Sequence, residues 1–321
     1  HLVLFPSLSA VDRLTHSLVQ RGCNLKSDGR PILGIDSEEL FKMVLDADEN
    51  ALLIPAHAWT PWFAVFGSQS GFDSLEECFG EMTKYVVAVE TGLSSDPAMN
   101  WRLSALDDVF LVSNSDAHSL DKLGREANVF DMSEPNYREL RRILVERDRK
   151  KFLETIEFFP EEGKYHADGH RDCEYWCEPK ETRRLKGVCP KCGKPLTIGV
   201  LHRVEALADR ESGFRPPQAV SFRSIMPLAE LVAHAMGVGP TSRVFRREMD
   251  RLLEDRRTEF GILLDLPLQD LVSVTQPEIA AAIGQMREGR VDIRPGYDGE
   301  YGVVKVAASH PRRVQQNLFE K

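Results

Sequence analysis

Val109-Phe110-Leu111-Val112-Ser113-Asn114-Ser115-Asp116-Ala117-His118 joins an unbroken apolar run to a cluster of polar side chains. Consecutive apolar residues without alternation describe a strand buried on both faces, as in a parallel sheet covered by helices. Two further runs have the same form. Residues 51–54 lead through Pro55-Ala56 into His57, and residues 85–89 lead into Glu90. A fourth apolar run, 2–5, follows His1. Between the runs lie stretches with helical spacing at 10–20, 37–45, 74–82 and 135–147, the second with Ser37 as N-cap and Glu38 and Glu39 in its first turn. This alternation predicts an α/β fold with a parallel sheet or barrel. In a parallel α/β barrel the carboxyl ends of the strands meet on one face, so His57, Glu90, Asp116 and His118 are expected to converge there.

On extended backbone the i, i+2 spacing of Asp116 and His118 turns both side chains to one side. A carboxylate beside an imidazole suits Zn²⁺, Mn²⁺ or Fe²⁺. Asp-x-His alone is a common pattern; three strand ends finishing in such groups are what point to a metal centre. The segment Trp59-Thr60-Pro61-Trp62-Phe63-Ala64-Val65-Phe66 reads either as the core of a surface loop or as a wall able to stack a base. Gly92-Leu93-Ser94-Ser95-Asp96-Pro97 reads as a plain turn or as a loop offering N–H groups to phosphate.

Four of the six cysteines, Cys173, Cys177, Cys189 and Cys192, fall close together; Cys23 and Cys78 are scattered. Cys189-Pro190-Lys191-Cys192-Gly193 has the form of a zinc knuckle, two thiolates on one tight turn. Upstream, either His170 with Cys173 or Cys173 with Cys177 would complete a tetrahedron. Four protein ligands leave no open position, so such a zinc would be structural.

The 321 residues suit one large domain with one or two small ones. Residues 1–159 carry the α/β pattern. Residues 160–200 are rich in Gly and Pro and too poor in apolar residues to fold without a staple. Residues 201–321 turn helical and charged, with Arg243, Arg246, Arg247, Arg251, Arg256 and Arg257 interleaved with acids, and end in an expected hairpin around 294–299 followed by a strand at 301–306. The net charge of −9 excludes a uniformly basic nucleic-acid coat, so DNA contact would need arginines gathered on one face. There is no P-loop, no signal peptide and no apolar run long enough to span a bilayer, which predicts no membrane partner and a reducing, cytoplasmic setting. A chain that opens with His1 on an apolar run is expected to lack the protein's N-terminal part.

Several longer motifs resemble the endonuclease Q family, metal hydrolases of the polymerase-and-histidinol-phosphatase (PHP) type. They are Asn24-Leu25-Lys26-Ser27-Asp28-Gly29-Arg30-Pro31, Pro55-Ala56-His57-Ala58-Trp59-Thr60-Pro61-Trp62, Gly71-Phe72-Asp73-Ser74, Glu90-Thr91-Gly92-Leu93-Ser94-Ser95-Asp96-Pro97, Ser113-Asn114-Ser115-Asp116-Ala117-His118-Ser119, Asp168-Gly169-His170-Arg171, Cys189-Pro190-Lys191-Cys192-Gly193-Lys194-Pro195 and Pro295-Gly296-Tyr297-Asp298-Gly299-Glu300-Tyr301. The resemblance spans nearly the whole chain. It implies a distorted PHP-type (β/α)7 barrel, here partial, a zinc-knuckle insert and a C-terminal α+β region that binds DNA. The family's earlier ligands, a His-x-His pair, an Asp/His pair and a Glu, have no counterpart in this sequence.

By motif match His1, His57, Asp116 and His118 would hold divalent metals (Zn²⁺, Mn²⁺ or Mg²⁺), with His57, Asp116 and His118 catalytic. His170, Cys173, Cys189 and Cys192 would hold the structural Zn²⁺, with Cys177 as the alternative ligand. Trp59, Trp62, Glu90, Ser94 and Trp101 would face substrate. The implied activity is DNA repair: hydrolysis of the phosphodiester 5′ of a deaminated base, uracil or hypoxanthine, by metal-activated water. The implied partner is DNA containing such bases; a sliding clamp is conceivable for a repair nuclease, although the sequence holds no motif for one. The alternatives are a PHP-type small-molecule phosphoesterase and a non-catalytic, zinc-containing DNA-binding module.

Overall fold

The computed structural model describes residues 1–26 and 31–306, so Ser27-Asp28-Gly29-Arg30 of the 24–31 motif and residues 307–321 of the C-terminal region lie outside the described residues. In chain order the first unit begins with β1 (Leu2–Leu4), α1 (Leu8–Gln20), α2 (Ser37–Ala47), β2 (Leu52–Ile54), α3 (Leu75–Phe79), β3 (Ala88–Glu90), α4 (Pro97–Asn100), β4 (Phe110–Val112), β5 (Ala127–Phe130), α5 (Tyr137–Val145) and β6 (Phe152–Phe158). It continues through β7 (Asp168–His170), β8 (Tyr175–Cys177), α6 (Pro179–Arg184), α7 (Val200–Leu207) and the start of β9 (Ser221–Ile225). This unit covers His1–Arg223 and takes back Pro295–Val303 from the far end of the chain. The architecture is mixed α/β.

The runs that end in His57, Glu90 and Asp116 form largely buried strands, β2, β3 and β4, whereas β1 is half-buried. Leu53 and Val89 enter one hydrophobic core, with Leu14, Phe41, Val44, Phe66, Phe79 and Val204. Leu52, Ile54, Ala88, Phe110 and Val112 enter another, with Ile143, Leu144 and Phe152. Each fully buried large side chain contributes roughly 1.5–3 kcal/mol. β3 and β4 are parallel, Glu90 opposite Val112. β1 and β2, however, are antiparallel, Leu2 opposite Ile54, which corrects the expectation of parallel strands throughout. Among the described residues the strands pair in twos and threes, including β5-β6-β9 and β7-β8.

Helix boundaries follow local chemistry. Ser7 caps α1 by accepting from the Ala10 N–H, and Ala10, Leu14 and Leu18 line its buried face. The N-cap position of α2 is Asp36, one residue earlier than the expected Ser37, and its side chain makes no capping hydrogen bond. The expected helix at 74–82 stops at Phe79 and continues as a tighter 3₁₀ turn over Gly80–Tyr85. Gly80 adopts φ +50°, and a side chain there would meet the Glu38 carboxylate. That turn consumes Tyr85 and shifts the strand expected at 85–89 to 88–90.

The second unit comprises Ser224–Arg294 and the described residues from Val304 onward. It carries α8 (Leu228–Met236), α9 (Arg243–Leu252), α10 (Leu268–Val274), α11 (Pro277–Arg287) and β10 (Val291–Arg294), which pairs with β11 (Val303–Val306). Phe245, Glu248 and Leu252 are the buried residues of α9. Glu248 accepts from Thr275 Oγ1 at 2.7 Å and from both the backbone and side chain of Gln276, tying α9 to the start of α11. Burial would raise its pKa, but these hydrogen bonds outweigh burial and hold it below the usual value. No helix among the described residues is long and apolar enough to cross a membrane.

Candidate active site

β2, β3 and β4 deliver His57, Glu90 and Asn114 to one place. Glu90, the last residue of β3, is buried and acts as a bracket. Its Oε2 accepts the His57 backbone N–H at 2.6 Å, and its Oε1 accepts from Asn114 Nδ2 at 2.7 Å. Its backbone does the same work, donating to Pro55 O at 2.9 Å and accepting from Ala58 N at 3.0 Å. Asn114 Oδ1 accepts from Asn128 Nδ2 at 3.1 Å, and Asn128 also clasps the Ser113 backbone on both sides. His57 stands at φ 35°, a conformation unusual for a side-chain-bearing residue, and the turn at Gly92 fits under it. A Cβ on Gly92 would lie 2.7 Å from the His57 Cβ. His57 Nδ1 is buried and has no hydrogen-bond partner, so the ring retains a free ligand atom.

Asp116 and His118 do not lie on extended backbone. Asp116 takes φ 44°, so the i, i+2 alternation expected for the pair fails. The chain instead curls: His118 Nδ1 meets the Asp116 carbonyl at 2.8 Å, and Arg125 donates to the Ser115 and Asp116 carbonyls. A carbonyl accepts only, so Nδ1 is the donor of this hydrogen bond and Nε2 is the ring's outward nitrogen. The two side chains are about half exposed, with Asp116 Oδ1 3.9 Å from His118 Nδ1.

His1 precedes β1, whose Leu2 stands opposite Ile54 at the end of β2. Its Nε2 bonds Ser37 Oγ at 2.8 Å and its ring lies against Phe79, 5.5 Å between centroids. Among the described residues, no three of His1, His57, Asp116 and His118 bring their donor atoms within a single coordination sphere. Ser37 and Phe79 hold the His1 ring, and Glu90 fixes His57 through its backbone rather than its imidazole.

The aromatic expectations divide. Trp59 is fully buried, stacked near Phe66 with Nε1 donating to Asn100 Oδ1 at 2.8 Å, so it supports the loop and cannot touch substrate. Trp62 is 47% exposed and meets Tyr165 edge-on at 5.5 Å. Trp101 lines a cavity of about 250 Å³ with Asp107, Phe110, Arg149 and Pro217, at the amino end of β4 and away from Asp116. Phe222 and Arg215 pack on its ring. Ser94 is half-buried in the loop after Gly92.

Two buried acids, Glu157 and Glu126, had no sequence signal. Glu157 is fully buried, accepts from Thr91 Oγ1 at 3.0 Å, and is pushed up to about 7, chiefly by burial. Glu126 has neither carboxylate oxygen hydrogen-bonded; burial, then the neighbouring Glu157 charge, raises it well above an ordinary glutamate.

A separate cluster forms where β7 ends. One ligand atom each from His170, Cys173, Cys189 and Cys192 lies within 4.8 Å of all the others. Gly193 at φ +76° closes the Cys189–Cys192 turn, and Cys189 N donates to Lys194 O at 2.8 Å. The Cys173 thiol is pushed up to about 11, first by the Cys192 thiol beside it. Crowded thiols with an imidazole are a donor set that a soft divalent cation satisfies. Cys177 is not part of it: its sulfur turns to Thr182 Oγ1 at 3.2 Å. The Asp298 carboxylate accepts from Arg171 N and Thr197 Oγ1, both at 2.6 Å, so the 295–301 motif buttresses this segment.

Residues 227–290 match the family described as the MJ0043 C-terminal domain. Over 302 residues the chain is 30% identical to the uncharacterized protein MJ0043 of Methanocaldococcus jannaschii, covering 89% of this chain and 36% of that protein, so it spans about a third of that relative's length. It is 31% identical over 307 residues to the uncharacterized protein YqxK of Bacillus subtilis, covering 95% of this chain and 73% of that one. Among solved structures it is similar to the lesion-specific endonuclease PfuEndoQ of Pyrococcus furiosus, with a TM-score of 0.85, 31% identity, and coverage of 95% and 74%. It is also similar to an endonuclease Q complexed with a 27-mer duplex bearing an abasic lesion at the active site, with a TM-score of 0.81, 30% identity, and coverage of 95% and 75%. With identity sustained over nearly its whole length and three quarters of the solved relatives, the chain belongs to the endonuclease Q family.

Proposed function

We propose that this chain is part of a DNA repair endonuclease that hydrolyses the phosphodiester 5′ of a deaminated base, uracil or hypoxanthine. The observation that carries the reading is the likeness, over 95% of the chain, to an endonuclease solved with lesion-bearing duplex. Water attacks the phosphorus and the P–O3′ bond breaks, leaving a 3′-hydroxyl and a 5′-phosphate on the lesion nucleotide. Residues 1–159 supply the hydrolytic portion of a PHP-type barrel, 160–200 the zinc-stapled insert and 201–321 the DNA-binding region.

The orphan His57 Nδ1, the outward His118 Nε2 and the Asp116 carboxylate fit as ligands for divalent cations, Zn²⁺, Mn²⁺ or Mg²⁺, with His1 completing the set only if its Ser37 contact is released. Such cations neutralise charge on the phosphate and lower the pKa of the attacking water. Glu90 keeps the His57 turn and Asn114 in register, and Trp62 and Ser94 face the nucleotide. His170, Cys173, Cys189 and Cys192 hold a structural Zn²⁺. In the second unit Arg243, Arg246 and Arg247 are exposed on α9, suited to backbone phosphates.

The test is incision of end-labelled duplex carrying one deoxyuridine or deoxyinosine, in Mg²⁺ or Mn²⁺. The wild type should cut 5′ of the lesion, and Asp116→Asn should lose cleavage by about a thousandfold while keeping DNA affinity. Retained turnover would remove Asp116 from the metal role. A second reading, a non-catalytic zinc-containing DNA-binding module, is favoured by the incomplete convergence of the four ligands. Metal analysis separates the two: about one zinc per chain for the module, and at least two additional metals for the hydrolase.

A further inference from the structure

Phe63 is doubly anomalous. It is 76% exposed, and its backbone stands at φ 58°, a region that a bulky side chain rarely occupies. Neither feature serves the core. The loop around it is nevertheless rigidly built. Phe63 N donates to Ser70 Oγ at 2.9 Å, Gln69 N to Pro61 O at 2.9 Å, Gly71 N to Gly67 O at 2.8 Å and Phe66 N to Ala58 O at 2.8 Å. Gly67 packs so tightly that a Cβ would lie 2.6 Å from the Thr60 carbonyl. Trp59 and Phe66 are buried beneath, and Arg203 staples the loop from α7 through the Phe66 and Phe72 carbonyls and Asp73. A strained, exposed ring on a well-braced loop is a preorganised protrusion.

The loop leaves the candidate site directly: Phe63 lies six positions after His57, a reach of at most about 20 Å. Its surroundings suit nucleic acid. Trp62 stands beside Phe63 against Tyr165, and Lys164 lies 4.5 Å over the exposed Tyr301 ring. We propose that the Phe63 ring inserts into the base stack of duplex DNA and fills the gap left by the lesion nucleotide when it leaves the helix. This inference rests on the nuclease reading above. It adds a contact with duplex DNA outside the hydrolytic site. Apolar wedges between base steps offset part of the cost of unstacking, and that cost is absent in a single strand.

The test compares Phe63→Gly, which removes the ring and relieves the positive φ, with Phe63→Trp, which keeps an aromatic. Cleavage of a deoxyuridine is measured in paired duplex and in single strand. Phe63→Gly should lose about ten- to hundredfold on duplex while changing less than about twofold on single strand, and Phe63→Trp should restore duplex cleavage. Unstacking is read separately by the fluorescence of 2-aminopurine opposite the lesion, in an Asp116→Asn background. It should rise on binding and fail to rise when Phe63→Gly is added. Equal cleavage of both substrates by Phe63→Gly would overturn the wedge and leave the nuclease standing. If the wild type cuts nothing, the nuclease reading fails; the wedge then stands only if the Phe63-dependent fluorescence rise is seen, and falls if it is absent.

Discussion

Glu90 shows how a single side chain can set a site without reacting. One carboxylate oxygen holds the His57 turn and the other holds Asn114, which joins the ends of β2, β3 and β4. Glu157, bonded to Thr91 beside it, is fully buried. Its pKa of about 7 stands above the ordinary value of 4.5, chiefly because burial penalises the carboxylate. The folded state therefore holds this proton more tightly than the unfolded state. Stability is full below about pH 4.5 and is lost as pH rises towards 7, by an amount on the order of 3 kcal/mol. Glu157→Gln should therefore melt at a higher temperature than the wild type at pH 8 and show a flatter dependence between pH 4.5 and 7. Thermal unfolding at several pH values checks this; an unchanged pH dependence would mean that Glu157 ionises freely in the folded chain.

At the scale of elements, β7, the following turn and the Cys189–Gly193 turn make a segment with a very small core: Cys177, Cys189 and Leu196. A metal joining His170, Cys173, Cys189 and Cys192 supplies what apolar burial does not. Cys189→Ser should lose about one equivalent of zinc per chain and open residues 165–198 to limited proteolysis, whereas Cys177→Ala should retain the metal. Zinc loss from Cys177→Ala would restore the four-cysteine alternative. The same scale shows what was legible. Apolar runs and helical periodicity located β1 to β4, α1, α2, α3 and α5 to within about three positions, because burial periodicity is written locally, but gave no sign of α4, β5 or β6. Direction was not: an apolar run looks the same in a parallel or antiparallel pair, and β1–β2 proved antiparallel. The 74–82 helix failed at Gly80, where φ is positive and Glu38 from another helix leaves no room for a side chain.

At the scale of the molecule, a chain of net charge −9 can hold DNA only through local concentrations of arginine. α9 places Phe245, Glu248 and Leu252 inside and Arg243, Arg246 and Arg247 outside. Replacing these three arginines by alanine should weaken duplex binding and reduce the slope of log affinity against log salt by about 2 to 3, with little change in melting temperature. Titrations at several salt concentrations would show this; an unchanged slope would place the phosphate contacts elsewhere.

Sequence by itself carried the family, the alternation of strand and helix, the polar strand ends and the knuckle spacing, since each is a pattern among near neighbours or a long conserved-looking word. Tertiary structure alone decided that Trp59 is core while Phe63 projects, that the Cys177 sulfur turns to Thr182, and that the 295–301 motif braces a segment more than a hundred residues upstream. Those outcomes depend on which surfaces meet across the chain and on a few residues with positive φ, and neither is encoded in local periodicity.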